Sequence, residues 1–459
     1  MEATAQSVED YLIDSLSFKL KPGASYITNR RSVSYFPHGG NQYSVQGVKV
    51  IKMVLTGDQW LDPGTVRLQF ALRNLDAAAN HRLRVISGPW SFFRRVRILA
   101  GGQILEDMDD YNRIHEMFHM LQDPVNRNND DIEGFGARYD NTTVDINYPG
   151  IEAGQSRVVM FKLLSGIFNQ EKFLPIRYMP ITIELELTSI VTDPIIYPTD
   201  LAAGPFTAAL SSTLWQIEDV QIKCDICSLD NALDNEYAQH LLSGRSLPIN
   251  YNTYVSQTQQ LVGQNPVINV TRALTRLKSI FINMDKLRGY ENVQANGGTT
   301  YKTFNDFFHS MGALPLNAQV YDPALEMEFQ IQTGSKLFPE YPMRSVSECF
   351  YQLRKTLGIH TSSFHNVDVN ATTYRTRKFI LAIDTEKVLS AGFTGLNTKA
   401  GDLLTVKVKH ASNVADNWAD KMQIILHADM IVNIRDTGVA VLERANIIMM
   451  YECKILYHN

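Results

Sequence analysis

The sequence predicts an all-β protein built from two similar domains in tandem. The length, a period-two alternation in most segments, and a strand–turn–helix unit that occurs twice about half a chain apart point to it. A chain of 459 residues is too long for one ordinary core and divides naturally into two domains of roughly 200 residues each. With 44% hydrophobic and 20% charged residues, its composition is that of a soluble globular protein. No stretch reaches the ~20 consecutive apolar residues that a membrane-crossing helix needs.

Taken in order, Val8–Leu16 predicts a short helix with Val8, Leu12, Ile13 and Leu16 on one side, too little surface to stand alone. Val48–Leu55 predicts a strand. Thr65–Asn74 follows, with Val66, Leu68, Phe70 and Leu72 facing a core and Arg67, Gln69 and Arg73 facing away. After a strand at Val96–Leu99, a helix starts near Asp109–Asp110, whose carboxylates suit a helix N-terminus, and carries Ile114, Met117, Phe118 and Leu121 as a stripe. Ile181–Thr188 and Val220–Ile226 alternate cleanly, as half-buried antiparallel strands do. A helix at Asn235–Leu242 lies between the halves. Beyond it come strands at Leu277–Met284, Glu326–Ile331, Phe379–Ile383, Leu404–Lys409, Gln423–Arg435 and Ile447–Leu456. A helix at Arg344–Leu357 carries Val346, Cys349, Phe350 and Leu353.

The two striped helices belong to a longer repeat. VRILAGGQILEDMDDYNRIHEMFHML (Val96–Leu121) matches FQIQTGSKLFPEYPMRSVSECFYQL (Phe329–Leu353) with one residue deleted. Ile98 then falls on Ile331, Gly101 on Gly334, Ile104 on Leu337, Glu116 on Glu348, Phe118 on Phe350 and Leu121 on Leu353. The order of parts after each helix is also shared. This predicts an N-terminal arm at 1–24, a first domain at 25–228, a linker with a short helix at 229–250 and a second domain at 251–459. Two β domains of this size fit sandwiches, and an eight-stranded antiparallel jelly roll fits the strand count.

The net charge of −5 argues against a surface that binds nucleic acid throughout. Met1–Asp10 is acidic and lacks the basic-then-apolar pattern of a secretory signal, which predicts a protein kept inside a cell with its cysteines reduced. On that reading the sequons at Asn141, Asn269 and Asn370 are chance matches. His115-Glu116-Met117-Phe118-His119 is an H-E-x-x-H pattern on a predicted helix, where two imidazoles could bind zinc and the glutamate activate water. No third histidine follows at the longer motif's spacing. The matching helix has Ser347 and Tyr351 at the ligand positions, which favours polar residues on an outer helix face. Cys224-Asp225-Ile226-Cys227 is a lone C-x-x-C on a strand, with Cys224 expected in the core. Ala100-Gly101-Gly102 lacks the lysine of a phosphate loop and reads as a tight turn. Arg94, Arg95 and Arg97 beside Phe92 and Phe93 could form a nucleic-acid face, but fit better as a strand whose arginines face solvent or a neighbour. Lys19, Lys21, Arg30 and Arg31 form a basic cluster assigned to the N-terminal arm.

MFKLLSGIFNQEKFLPIRYMPITIELEL (Met160–Leu187), in which Phe173-Leu174-Pro175-Ile176 precedes an alternating strand, resembles the double jelly-roll major capsid proteins. That lineage includes adenovirus hexon and the capsid proteins of large DNA viruses, virophages and polinton-like viruses. The repeated strand–Gly–helix unit is similar to the family's arrangement, and the compact length looks most like polinton-like viruses. The resemblance implies a structural protein rather than an enzyme, with no cofactor. It would form homotrimeric, pseudo-hexagonal capsomers of an icosahedral double-stranded DNA virus, assembled in the host cell and retained in the virion. The partners implied are neighbouring capsomers, penton and minor capsid proteins, and genome DNA or an internal membrane at the inner face. Two alternatives stand beside it: a zinc-dependent hydrolase centred on His115 and His119, and a non-viral β-sandwich binding module.

Overall fold

The computed structural model describes residues 26–136, 150–196, 211–263, 265–285, 292–295, 299–302, 307, 327–359, 369, 374, 378–386, 395–398, 403–409 and 421–442. The predicted helix at Val8–Leu16 and strand at Ile447–Leu456 lie outside them, as do Lys19 and Lys21.

The first half runs β1 (Ile27–Tyr35), β2 (Gln42–Tyr43), β3 (Val50–Leu55), β4 (Trp60–Asn74), β5 (Phe93–Ala100), β6 (Gln103–Asp109), α1 (Tyr111–Met120), α2 (Pro124–Glu133), β7 (Ser156–Phe161), β8 (Leu174–Pro175), β9 (Ile181–Leu187) and β10 (Trp215–Leu229). Then α3 (Asn231–Leu242) leads to β11 (Leu247–Gln260), β12 (Val267–Val270), β13 (Leu277–Asp285), the hairpin β14 (Asn292–Ala295) and β15 (Thr299–Lys302), β16 (Glu328–Thr333), β17 (Lys336–Met343) and α4 (Val346–Thr356). β18 (Ile380–Asp384), β19 (Leu404–Lys409), β20 (Lys421–Arg435) and β21 (Gly438–Leu442) follow among the described residues.

The two halves have the same strand order. In the first, one sheet runs β1-β10-β4-β7 and the facing sheet β3-β9-β5-β6; in the second, β11-β20-β13-β18 faces β12-β19-β16-β17. Counting eight main strands per half, both sheets read first-eighth-third-sixth and second-seventh-fourth-fifth. That order is a jelly roll, made twice. All the strand pairs within these sheets are antiparallel.

Period-two patterning explains the sandwich. In β9, Ile181, Ile183, Leu185 and Leu187 are fully buried, while the residues between them are only partly so. The repeated unit is the fourth and fifth strands and the helix after them. Each hairpin turns in two residues, between Ala100 and Gln103 and between Thr333 and Lys336. Gly101 and Gly102 hold the positive φ values of +54° and +81° that the first turn needs.

The elements also extend beyond the predicted ones. The strand predicted at Thr65–Asn74 begins at Trp60, because pairing with β10 continues across Asp62-Pro63-Gly64 through a register shift. α3 starts at Asn231, earlier than predicted. β1, β11 and α2 had no predicted counterpart, and neither had β6, β7, β12, β17 or the short strands β2, β8, β14, β15 and β21. Buried apolar side chains from both rolls form one continuous core.

Candidate functional site

The H-E-x-x-H helix is enclosed. His115 stacks on Trp90 with ring centroids 4.2 Å apart and planes 20° from parallel, and His119 lies tilted 4.4 Å from the same ring. Glu116 is buried and accepts hydrogen bonds from Ser87 Oγ and, at 2.8 Å, from Trp90 Nε1. The expectation of polar residues on an outer helix face is therefore corrected: Glu116 and His119 lie inside the protein. The cause is the turn at Pro89–Phe92, which packs Trp90 across that side of the helix. Glu116 fixes the indole, which packs on both imidazoles, and their centroids are 6.4 Å apart. Burial, and secondarily the neighbouring His119, push His115 down to about 3, so its imidazole is neutral at physiological pH. Among the described residues, no group of three or more His, Cys, Asp or Glu is placed to hold a metal ion. A cavity of about 410 Å³ beside the helix is lined by Arg67, His115, Lys162, Asn169 and Tyr254.

The other sequence candidates are also packed or paired. Cys224 and Cys227 are buried on β10, and burial lifts the Cys224 thiol to about 12, far from a reactive thiolate. Phe92 and Phe93 are fully buried and offer no stacking platform. Arg95 makes a two-pronged contact with Asp107 at 2.8 and 2.7 Å, and Arg97 meets Glu184 at 3.0 Å. Arg30 and Arg31, expected in the arm, lie instead on β1, because the strand pairs along β10 as far as Leu229. Arg30 contacts both Asp225 and Asp62 at 2.8 Å, so two carboxylates offset its charge.

Sequence reading missed the junction between the rolls. β11 crosses β6 and the start of α1. Tyr251 Oη donates to the Leu105 carbonyl at 2.9 Å, and Ser256 Oγ to that of Asp109 at 2.7 Å. Asp110 occupies the N-cap of α1 in the left-handed region, at φ +51°, without capping it. Its carboxylate instead accepts from Thr258 Oγ1 at 2.7 Å and meets Lys421 Nζ at 3.1 Å, both on the second roll. Burial raises the Asp110 carboxyl, but Lys421 and Thr258 outweigh it and hold the group below the usual range. Phe118 packs on Tyr254 at 4.6 Å and on Phe281 at 5.1 Å. Gly166 lies so close to Asn252 that a Cβ there would meet its carbonyl oxygen at 1.4 Å. Beside it, buried Glu106 accepts from Ser165 Oγ and from the Gly166 amide at 2.8 Å. In the sequence β11 reads LPINYNTYVSQTQQ, a mostly polar run in which only Ile249, Tyr251 and Thr253 alternate as buried positions.

No family model matches the sequence, and no curated protein matches it. Solved structures match over nearly the whole chain. VP54 of PBCV-1, as fitted into a reconstruction of the virophage Sputnik, is 11% identical with a TM-score of 0.62, covering 94% of this chain and 100% of that one. A chain of the Sputnik virophage structure is 11% identical with a TM-score of 0.56, covering 95% and 92%. The major capsid protein of Faustovirus is 10% identical with a TM-score of 0.55, covering 93% of each chain.

The chain has the double jelly-roll fold.

In this double jelly roll α1 packs His115 and His119 on Trp90 within the first roll and Phe118 on Tyr254 and Phe281 of the second.

Proposed function

We propose that this chain is a major capsid protein whose homotrimers form the pseudo-hexagonal capsomers of an icosahedral double-stranded DNA virus. The observation that carries the reading is the duplicated strand order within one chain, β1-β10-β4-β7 with β3-β9-β5-β6 and again β11-β20-β13-β18 with β12-β19-β16-β17. Two unlike modules repeated by a threefold axis give six near-equivalent edges while each module keeps its own contacts. The matching structures named above support it, one being a major capsid protein by name. The division into an arm at 1–24, rolls at 25–228 and 251–459 and a linker at 229–250 belongs to the same proposal. So do neighbouring capsomers, penton and minor capsid proteins as partners, assembly inside the host cell, and contact of Lys19 and Lys21 with genome DNA or an internal membrane. The function is mechanical, with surface buried between like chains and no turnover.

Light scattering of the purified chain tests it. The expected mass is three times that of the chain; a clean monomer at micromolar concentration would overturn the reading.

A further inference from the structure

On the face of the sheet β1-β10-β4-β7 turned away from the core, three cations stand in a row. Lys223 of β10 is opposite Arg67 of β4. Lys162 lies one step past the last β4–β7 pair, Leu68 with Phe161, and so flanks Arg67 on its other side. Like charges set opposite one another across a sheet repel. Among the described residues, no carboxylate forms an ion pair with any of the three. Neutral groups position two of them without offsetting the charge. Arg67 Nη1 donates to the carbonyls of Gly64 and Val66, both at 3.0 Å, and Lys162 Nζ donates to Asn169 Oδ1 at 2.8 Å. Burial, and then the Arg67 guanidinium, hold the Lys162 ammonium below its usual value.

Arg67 and Lys162 both line the cavity of about 410 Å³ beside α1, and the exposed Lys223 does not. The other polar groups of that cavity are chiefly acceptors. His115 Nε2 lies 3.4 Å from the Lys162 carbonyl, which can only accept, so the ring hydrogen sits on Nε2. Nδ1 then keeps a lone pair, and it is buried with no hydrogen-bond partner. Asp130 and Glu133 of α2 add carboxylates, both exposed and screened by solvent, with Asp130 3.4 Å from His119 Nε2. Phe161 and the Tyr254 ring supply apolar wall. The space is of the size that small-molecule sites have. Two unpaired cations call for an anionic group, and the acceptors call for hydroxyls.

We propose that this cavity binds a small hydroxylated phosphomonoester of the sugar-phosphate class, with its phosphate between Arg67 and Lys162 and its hydroxyls donating to His115 Nδ1 and the α2 carboxylates. Tyr254 belongs to β11, so the ligand touches both rolls, and its binding stabilises the folded chain by mass action. The site lies within one chain and does not rest on the capsid reading.

Calorimetric titration of the full chain with glucose 6-phosphate, with inorganic phosphate and with glucose tests it, at about 0.15 M salt, where exposed charges are screened beyond ~8 Å. Glucose 6-phosphate is expected to bind at least tenfold more tightly than either fragment. Arg67→Gln and Lys162→Gln are each expected to weaken it by roughly tenfold, the loss of one charge-assisted hydrogen bond. Lys223→Gln, outside the cavity, is expected to weaken it by less than about threefold. If a variant fails to fold, acetylation of the unaltered chain, read by mass spectrometry, decides: saturating glucose 6-phosphate is expected to slow modification of Lys162 and leave that of Lys223 unchanged. Equal affinity for inorganic phosphate assigns the cavity to the free ion and overturns the sugar phosphate. No binding of any probe, an equal loss in Lys223→Gln, or unprotected Lys162 overturns the site.

Discussion

Glu106 lies where the two rolls meet, and burial lifts its carboxyl to about 7 from 4.5 despite hydrogen bonds from Ser165, Gly166, Thr253 and Ile167. The raised value means the folded protein prefers the protonated acid. Its contribution is fullest below pH 4.5 and falls as pH rises to about 7, by roughly 3 kcal/mol over that span. Glu106→Gln is therefore expected to remove this decline, which melting curves at intervals from pH 4.5 to 8 would register as a shallower slope above pH 5. His115 acts in the opposite sense. Its folded value of about 3 against 6.5 means that stability is present above pH 6.5 and lost as pH falls toward 3. His427, pushed down to about 4 mainly by burial, adds to the loss. His115→Phe keeps an aromatic partner for Trp90 without a proton site, and the drop in melting temperature between pH 7 and 5 should shrink in that variant.

At the scale of elements, Gly166 sits directly against the Asn252 backbone of the second roll. Gly166→Ala would drive a methyl into the Asn252 backbone, and the expected destabilisation is at least the roughly 1–3 kcal/mol of an overpacked core, read from denaturant midpoints. β9 and β19 were legible in the sequence because one face of each meets a core and the other does not. β1 was not legible: it is a sheet edge exposed along most of its length, so its sequence ITNRRSVSY carries no apolar alternation. β11 escaped for a different reason. Tyr251, Ser256 and Thr258 donate to hydrogen-bonding groups of β6 and of Asp110 at the start of α1, so the contact selects polar side chains. α2 had its Pro at the first turn and Asp123 as cap, but with only Arg127 buried it had no stripe. The apolar stripe of α1 was placed correctly; the enclosure of its other side was not, because Trp90 reaches it from a turn 20-odd positions earlier in the chain.

For the whole molecule, deleting Met1–Gly23 is expected to leave trimers intact and impair shell closure, checked by particle yield in electron micrographs; unassembled monomers would count against an arm that acts only between capsomers. Alanine at both His115 and His119 should leave the trimer mass unchanged, whereas a stoichiometric zinc lost with that double change would revive the hydrolase reading. The pairing of first strand with last has a further effect on how the protein is made. Thr28 of β1 donates to Ser228 of β10, 200 residues downstream, and β11 likewise waits for β20. Neither sandwich can shut until its final strand has left the ribosome. Such non-local pairing folds slowly and keeps raw edges in solution meanwhile. A nascent chain with its first roll complete still shows the β6–α1 face that β11 will later cover, so timely synthesis of the second half shields the first from capture by finished neighbours.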